Sequence, residues 1–182
     1  QSVMTQISTY FGNSDSEVRM SAFQAARAML CNKFELEKET CQNLIDAFHS
    51  VPESDFYKYF KVLREAFRAE CNDAVLCEAT LPFALEGLKK ERQPRKIAEY
   101  LSIFANIANI DPEIIEPYAD TIVSAGIDLM KGDDPLAYKF ASRALIGLIG
   151  DDNSRRRIFA LLPRFQQLLG KDSKLDTQVQ GN

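Results

Sequence analysis

The chain of 182 residues is 46% hydrophobic and 26% charged, which is enough for one compact domain with a buried core. Its formal net charge of -4 and pI near 5.2 exclude the broad positive field that sequence-independent nucleic-acid binding uses. No run approaches the roughly 18 apolar residues that a membrane span needs, and no segment resembles a signal peptide. We therefore expect an intracellular protein of the cytoplasm, the nucleus or both.

The N-terminal part of the sequence predicts two helices. The chain starts at Gln1 without an initiator Met and enters an apolar-periodic segment at once, so we expect a fragment of a larger protein. A first helix is predicted over residues 3–11. A second begins at a capping box from Ser14 to Glu17. Its apolar positions follow offsets 0, 4, 7, 8 and 11, on one helix face: Val18, Ala22, Ala25, Ala26 and Met29.

The same offsets recur three times downstream, starting at Phe56, Ile97 and Ala137. These anchors and Val18 are 38, 41 and 40 residues apart. The period near 40 predicts repeats at roughly 1–31, 32–70, 71–110 and 111–150, followed by a final helix at 153–170. The recurring positions are Phe56, Phe60, Leu63, Phe67; Ile97, Leu101, Phe104, Ala105, Ala108; Ala137, Ala141, Ala144, Leu145 and Leu148. Of these, small residues such as Ala141 are predicted at buried helix crossings.

A second set of helices is predicted between the first, at roughly 38–50, 75–91, 112–131 and 154–169. Three of them contain a proline: Pro82, Pro117 and Pro163. Proline has no amide hydrogen and clashes with the preceding turn, so each of these helices is predicted to kink or to split. From Lys171 onward the apolar period is lost, which predicts a disordered tail at 171–182.

Two Ala-rich helices have a recognisable start. Residues 15–19, Asp-Ser-Glu-Val-Arg, and 134–139, Asp-Pro-Leu-Ala-Tyr-Lys, resemble the second helix of HEAT repeats, with its Asp-Pro-Glu-Val-Arg pattern. Residues 104–108 resemble the armadillo third helix, whose Asn bonds an extended ligand. The resemblance covers nearly the whole chain. It implies an all-α, right-handed α-solenoid of about four and a half antiparallel helical hairpins that serves as a binding scaffold.

The sequence offers little for catalysis or for a cofactor. It has a single histidine, His49, and neither a Gly-rich phosphate loop nor a G-x-S-x-G motif, so we expect no enzyme and no cofactor. His49 ends a predicted helix, where a donor meets exposed carbonyls. No C-x-x-C pair is present, so we expect no metal and reduced thiols at Cys31, Cys41, Cys71 and Cys77. A redox pair of Cys71 and Cys77 is the less favoured alternative.

Partner binding is predicted on the concave surface that second helices line in stacked repeats. This surface mixes positive and aromatic side chains, as interfaces do, and some of its residues pack on the next repeat instead. Arg19, Lys58 and Lys61 are predicted to form a positive row that attracts an acidic or amphipathic protein or peptide. The predicted partner-binding residues are Arg19, Phe23, Arg27, Tyr57, Lys58, Lys61, Glu99, Ser102, Asn106, Lys139 and Arg143.

A basic cluster supplies the alternative function. It consists of Lys89, Lys90, Arg92, Arg95 and Lys96, in a predicted turn between helices. A solvated turn is the favoured interpretation of this cluster. The alternative is contact with a nucleic acid, another phosphate-bearing partner, an acidic peptide or an import receptor. The run Arg155-Arg156-Arg157 allows the same two interpretations.

Overall fold

A computed structural model describes residues 2–32, 38–68, 73–111 and 113–149. Within these ranges 87% of the residues are helical and no strand occurs, so the all-α prediction is confirmed. Contacts divide the chain between Lys90 and Glu91 into two compact units, which are described separately. The predicted final helix at 153–170, Pro163, Arg155–Arg157 and the tail at 171–182 lie outside the described residues, as does Cys71.

The first unit contains five described α-helices. They are α1 (Val3–Ser8), α2 (Ser16–Cys31), α3 (Lys38–Asp46), α4 (Phe56–Arg68) and α5 (Asp73–Lys90). Short 3₁₀ turns at Thr9–Gly12, Ala47–Ser50 and Glu53–Asp55 extend or precede them. Each helix packs on the next but one, α1 on α3, α2 on α4 and α3 on α5, and α1 also packs on α2 and α4 on α5.

Helix α2 begins one residue later than the capping prediction. The Asp15 carboxylate, not the Ser14 hydroxyl, accepts the backbone N–H of Glu17, at 2.8 Å. The Asn13 side chain accepts the N–H of Asp15 at 2.9 Å and so fixes the approach to the helix. The predicted capping box is therefore wrong. The Glu17 N–H, which the Ser14 hydroxyl was predicted to cap, is already bonded to the Asp15 carboxylate.

Small residues lie at the buried helix crossings as predicted. Ala22 and Ala26 of the first unit, and Ala141 and Ala144 of the second, are all buried. The anchor Val18 is different, because 37% of its surface is exposed. Val18 lies in the first turn of α2, where the helix has only begun to enter the core. The prediction that Val18 belongs to the core is therefore wrong.

Aromatic rings fill the core of the first unit. Phe48 contacts Phe83 and Tyr59 with ring centroids 4.8 and 5.1 Å apart, and Phe56 stacks on Phe60 at 4.5 Å. The Tyr59 hydroxyl donates to the Leu44 carbonyl at 2.9 Å, so the one polar atom of this buried ring is satisfied. These rings come from α4, from α5 and from the 3₁₀ turn Ala47–Ser50 that follows α3.

The second unit contains three described α-helices: α6 (Pro94–Ile110), α7 (Ala119–Lys131) and α8 (Pro135–Ile149). All three pack on one another. Pro94 and Pro135 occupy the first turn of α6 and α8, where the missing N–H costs nothing. The Asp134 carboxylate caps α8 by accepting the N–H groups of Leu136 and Ala137, at 2.9 and 3.2 Å.

The two described prolines of the other helix set behave differently. Pro82 lies inside α5, which continues from Asp73 to Lys90, so of the two predicted alternatives, a kink or a split, the split does not occur there. Two residues before this proline, the Thr80 hydroxyl donates to the Leu76 carbonyl at 2.7 Å. Pro117 lies in a 3₁₀ turn, Glu116–Tyr118, that precedes α7, so this helix starts later than its predicted range. A proline at a helix start breaks no hydrogen bond.

Candidate partner-binding surface

Helix α4 is strongly amphipathic. Its buried face consists of Phe56, Tyr59, Phe60, Val62, Leu63, Ala66 and Phe67. Its other face contains Tyr57, Lys61 and Arg64, which follow the spacing i, i+4, i+7 and therefore share one line along the helix. Tyr57 and Lys61 are exposed and Arg64 is half-buried. We name Tyr57, Lys61 and Arg64 the α4 stripe.

The charge of α4 contrasts with that of the whole chain. The helix contains four basic residues and a single acidic one, whereas the chain has a formal net charge of -4. The acidic residue, Glu65, receives a hydrogen bond from Arg27 of α2 at 3.4 Å. The solvent side of α4 is therefore a local positive surface on an acidic protein.

Arg19 and Lys58 meet at a buried carboxylate. The Arg19 Nε donates to Asp55 Oδ2 and the Lys58 Nζ donates to Asp55 Oδ1, both at 2.6 Å. Arg19 also donates from Nη1 to the carbonyls of Asn13 and Ser14, at 2.6 and 3.0 Å. Arg19 and Asp55 are 8% and 3% exposed, so this cluster holds α2 against the start of α4.

The Asp55 cluster corrects the predicted positive row. Burial raises the pKa of Asp55, but hydrogen bonds from Lys58 and Arg19, together with their charges, outweigh it and hold that pKa below its usual value. Asp55 is therefore ionised and neutralises part of the positive charge. Of the three residues in the predicted row, Lys61 projects outward as predicted, Lys58 is half-exposed beside Asp55, and Arg19 is buried.

Phe23 also lies in the core rather than on the outer surface. It is 2% exposed, and its ring centroid is 4.6 Å from that of Phe11. Arg27, by contrast, is half-buried and bonded to Glu65. The predicted outward position of Phe23 is wrong, because the aromatic core of the first unit extends over the flank of α2.

The predicted residues of the second unit do not form a matching exposed line. Glu99 is 7% exposed, Ser102 is half-buried with its hydroxyl donating to the Glu99 carbonyl at 2.6 Å, and Asn106 is half-buried. Lys139 is exposed on α8, and the side chain of Arg143 lies outside the described part of the structure. Glu99 and Ser102 of α6 are therefore less exposed than Lys58 and Lys61, which have the same offsets from the anchor of α4.

Carboxylates accompany most of the predicted basic cluster. Lys90 pairs with Glu86, Arg95 with Asp134 at 2.8 Å, and Lys96 with Glu91 at 3.8 Å. Lys96 is only 6% exposed, which is a correction to its expected place on a solvated turn. Lys89 and Arg92 are exposed. The cluster is therefore a series of ion pairs, and its positive field is weaker than the sequence indicated.

Sequence reasoning missed an exposed apolar set on α8. Leu136, Tyr138 and Phe140 are 44%, 48% and 40% exposed. They are sequence neighbours of the buried Ala137 and Ala141, and the offsets that predicted the core from Ala137 do not include their positions. A count of large apolar residues outside those offsets would have found them.

The described residues contain no group of three or more His, Cys, Asp or Glu side chains that could hold a metal ion. Cys41 and Cys77 are buried thiols, and His49 is exposed at the end of its 3₁₀ turn, as expected for a helix-end histidine. None of the described helices is both long and apolar enough to cross a membrane.

Comparisons of the chain with known protein families, with curated proteins and with solved structures found no match.

Proposed function

We propose that this chain is a non-catalytic scaffold, a segment of a larger intracellular α-solenoid of the HEAT or armadillo kind. It binds an acidic, amphipathic segment of a partner protein along the α4 stripe. The observation that carries this proposal is the line formed by exposed Tyr57, exposed Lys61 and half-buried Arg64 on a helix whose opposite face is buried.

The spacing of lateral contacts supports the solenoid part of the proposal. In stacked repeats, each repeat contacts its neighbours, so contacts recur at one repeat length. Polar contacts between helices next but one in the chain join residues 36 to 40 positions apart, close to the apolar period. These pairs are Ser2–Thr40, Arg19–Asp55, Arg27–Glu65, Lys38–Glu78 and Arg95–Asp134.

The chemistry of the stripe supports an acidic and amphipathic partner. Lys61 and Arg64 attract carboxylates and raise the association rate, whereas the exposed ring of Tyr57 offers apolar area at a small entropic cost. An acidic helix with one apolar side would use both. The full length of the stripe from Tyr57 to Arg64 is two helical turns, about 11 Å, which matches two turns of such a partner.

The alternative is contact with a nucleic acid or another phosphate-bearing partner through the basic cluster. The ion pairs of Lys90, Arg95 and Lys96 reduce the charge that this function needs. We therefore rank it second and include it as an arm of the test.

The test uses a fluorescein-labelled peptide of Glu and Leu with a helical apolar period, and the anisotropy is measured with the full chain. We expect saturable binding that weakens as salt rises. Lys61→Glu should weaken it about fivefold at low salt, since it reverses one exposed charge in the centre of the stripe. Lys58 is left intact in this design because its amine contacts the buried Asp55.

The matched control is Lys139→Glu, which reverses an exposed lysine on α8. It should leave the affinity for the Glu/Leu peptide unchanged. Equal loss in both variants would mean that net charge, not the α4 stripe, sets the affinity. Tighter binding of a labelled DNA duplex than of the peptide would favour the alternative function instead.

A further inference from the structure

A polar groove of about 290 Å³ lies in the first unit, away from the α4 stripe. Residues from α1 and its 3₁₀ extension form one wall, and residues from α3 and its extension form the other. The lining residues are Thr5, Ser8, Thr9, Glu39, Asn43, Ala47 and Ser50. All except Ala47 are polar, so the groove suits a ligand with hydrogen-bonding groups.

Three of the four hydroxyl groups of this lining already donate their proton within the protein. All three donate to backbone carbonyls: Ser8 to Thr5 at 2.8 Å, Thr9 to Gln6 at 2.7 Å and Ser50 to Ala47 at 2.8 Å. A hydroxyl has one proton and two lone pairs. The same three oxygens can therefore offer a ligand only acceptor positions.

The other polar groups of the lining add further acceptors. The Asn43 Nδ2 uses one of its two protons to donate to Thr5 Oγ1 at 3.5 Å, and the Asn43 Oδ1 is an acceptor. Glu39 is exposed. Within the described ranges, its carboxylate makes no hydrogen bond and no ion pair. The groove thus combines one negative charge with acceptors on both walls and lacks an opposing cation among its lining residues.

We propose that this groove binds the guanidinium group of an arginine side chain in a partner protein, with Glu39 as its counter-ion. A guanidinium has five N–H donors in a planar fork, so it can reach acceptors on two walls at once. An ammonium concentrates three donors at one point and reaches fewer of them. The site is independent of the α4 stripe, because it lies on α1 and α3 and selects the opposite charge.

The test titrates the ¹⁵N-labelled full chain with the peptide acetyl-Gly-Arg-Gly-amide and follows backbone amide shifts. We expect saturable shifts at Thr5, Ser8, Thr9, Asn43 and Ser50. The citrulline peptide has nearly the same shape without the charge, and it should bind at least about fivefold more weakly. The lysine peptide keeps the charge without the fork and should also bind more weakly than the arginine peptide.

Two variants locate the counter-ion. Glu39→Gln keeps the side-chain shape and should weaken the arginine peptide about fivefold, with an unchanged amide spectrum elsewhere as the check on folding. Glu17→Gln is the matched control, because Glu17 is also an exposed first-turn glutamate but lies on α2, outside the groove. It should bind like the parent chain.

Each remaining outcome overturns the proposal. Equal binding of the citrulline peptide would mean that charge is not recognised, and equal binding of the lysine peptide would remove the guanidinium assignment. Shifts confined to residues outside the groove, or unchanged binding in Glu39→Gln, would place the arginine elsewhere. None of these results would contradict the proposed binding at the α4 stripe, because that proposal is tested with an acidic peptide.

Discussion

Two Arg–Asp ion pairs join corresponding helices in the two units, but they lie in different surroundings. Arg19 and Asp55 connect α2 with the start of α4, and their side chains are 10% and 4% exposed. Arg95 and Asp134 connect α6 with the start of α8, and their side chains are 53% and 26% exposed. The partners are 36 residues apart in the first pair and 39 in the second.

The difference shows that repeat spacing places such a pair but burial sets its energy. A buried charge that loses its partner retains the full cost of its desolvation, about 3 to 5 kcal/mol. An exposed pair contributes about 0 to 1 kcal/mol, because water and salt replace the partner. The first pair should therefore be essential to its unit, and the second should be dispensable.

The largest expected effect is that of Asp55→Ala. This change leaves Arg19 buried without its carboxylate and should lower the free energy of unfolding by about 3 to 5 kcal/mol. Urea unfolding followed by far-UV circular dichroism measures it. A loss below about 1 kcal/mol would mean that the Asn13 and Ser14 carbonyls alone satisfy Arg19. The buried ion pair would then contribute no more to stability than the exposed one.

A second contrast concerns two glycines, Gly12 of the first unit and Gly126 of the second. A Cβ on Gly12 would lie 2.6 Å from the Ser50 Cβ and 2.8 Å from the Ser50 backbone oxygen, so Gly12→Ala should cost about 1 to 3 kcal/mol. For a Cβ on Gly126, the three nearest atoms all belong to the Leu145 side chain, at 2.7 to 3.0 Å. The obstacle is thus a side chain rather than backbone, and alanine favours the helix by about 1 kcal/mol.

The thermal unfolding of the two glycine variants measures this contrast. Gly12→Ala should melt at a clearly lower temperature than the parent, and Gly126→Ala should melt close to it. The reverse order would mean that Leu145 is held more rigidly than the backbone at Ser50.

The acid dependence of stability should come in part from Asp55. Because its folded-state pKa lies below its unfolded value, its ionised form stabilises the fold above about pH 4. That stabilisation is lost as the pH falls through the folded-state pKa. The gap in unfolding free energy between the parent and Asp55→Asn should therefore narrow between pH 5 and pH 2, in a urea titration at each pH. A gap that stays constant would show that Asp55 does not titrate in this range.

The smallest expected effect is that of Arg95→Ala. It removes the exposed pair but leaves Asp134 to cap α8, so the free energy of unfolding should fall by less than about 1 kcal/mol. Raising the salt concentration should reduce even this loss. If Arg95→Ala lowered the free energy of unfolding as much as Asp55→Ala does, solvent exposure would not explain a difference between the two ion pairs.

The candidate surface followed partly from the sequence. The offsets of Tyr57 and Lys61 from the apolar anchor Phe56 were sufficient to place them outside the core, since one helix face was already filled with apolar residues. The same reasoning failed at Phe23 and Glu99. Periodicity identifies the centre of a buried face, but it says nothing about how far neighbouring helices cover the flanks.

The sequence by itself determined the helices and the small residues at their crossings, because helical period and local composition are properties of short segments. Ala22, Ala26, Ala141 and Ala144 are buried for this reason. Only the tertiary structure decided which charges meet. Asp55 is one residue before an apolar anchor and has no local signal of its role, and its burial beside Arg19 depends on a helix 36 positions earlier in the chain. The energy of a charge depends on the water that distant segments exclude from it, and so the long-range fold fixes it.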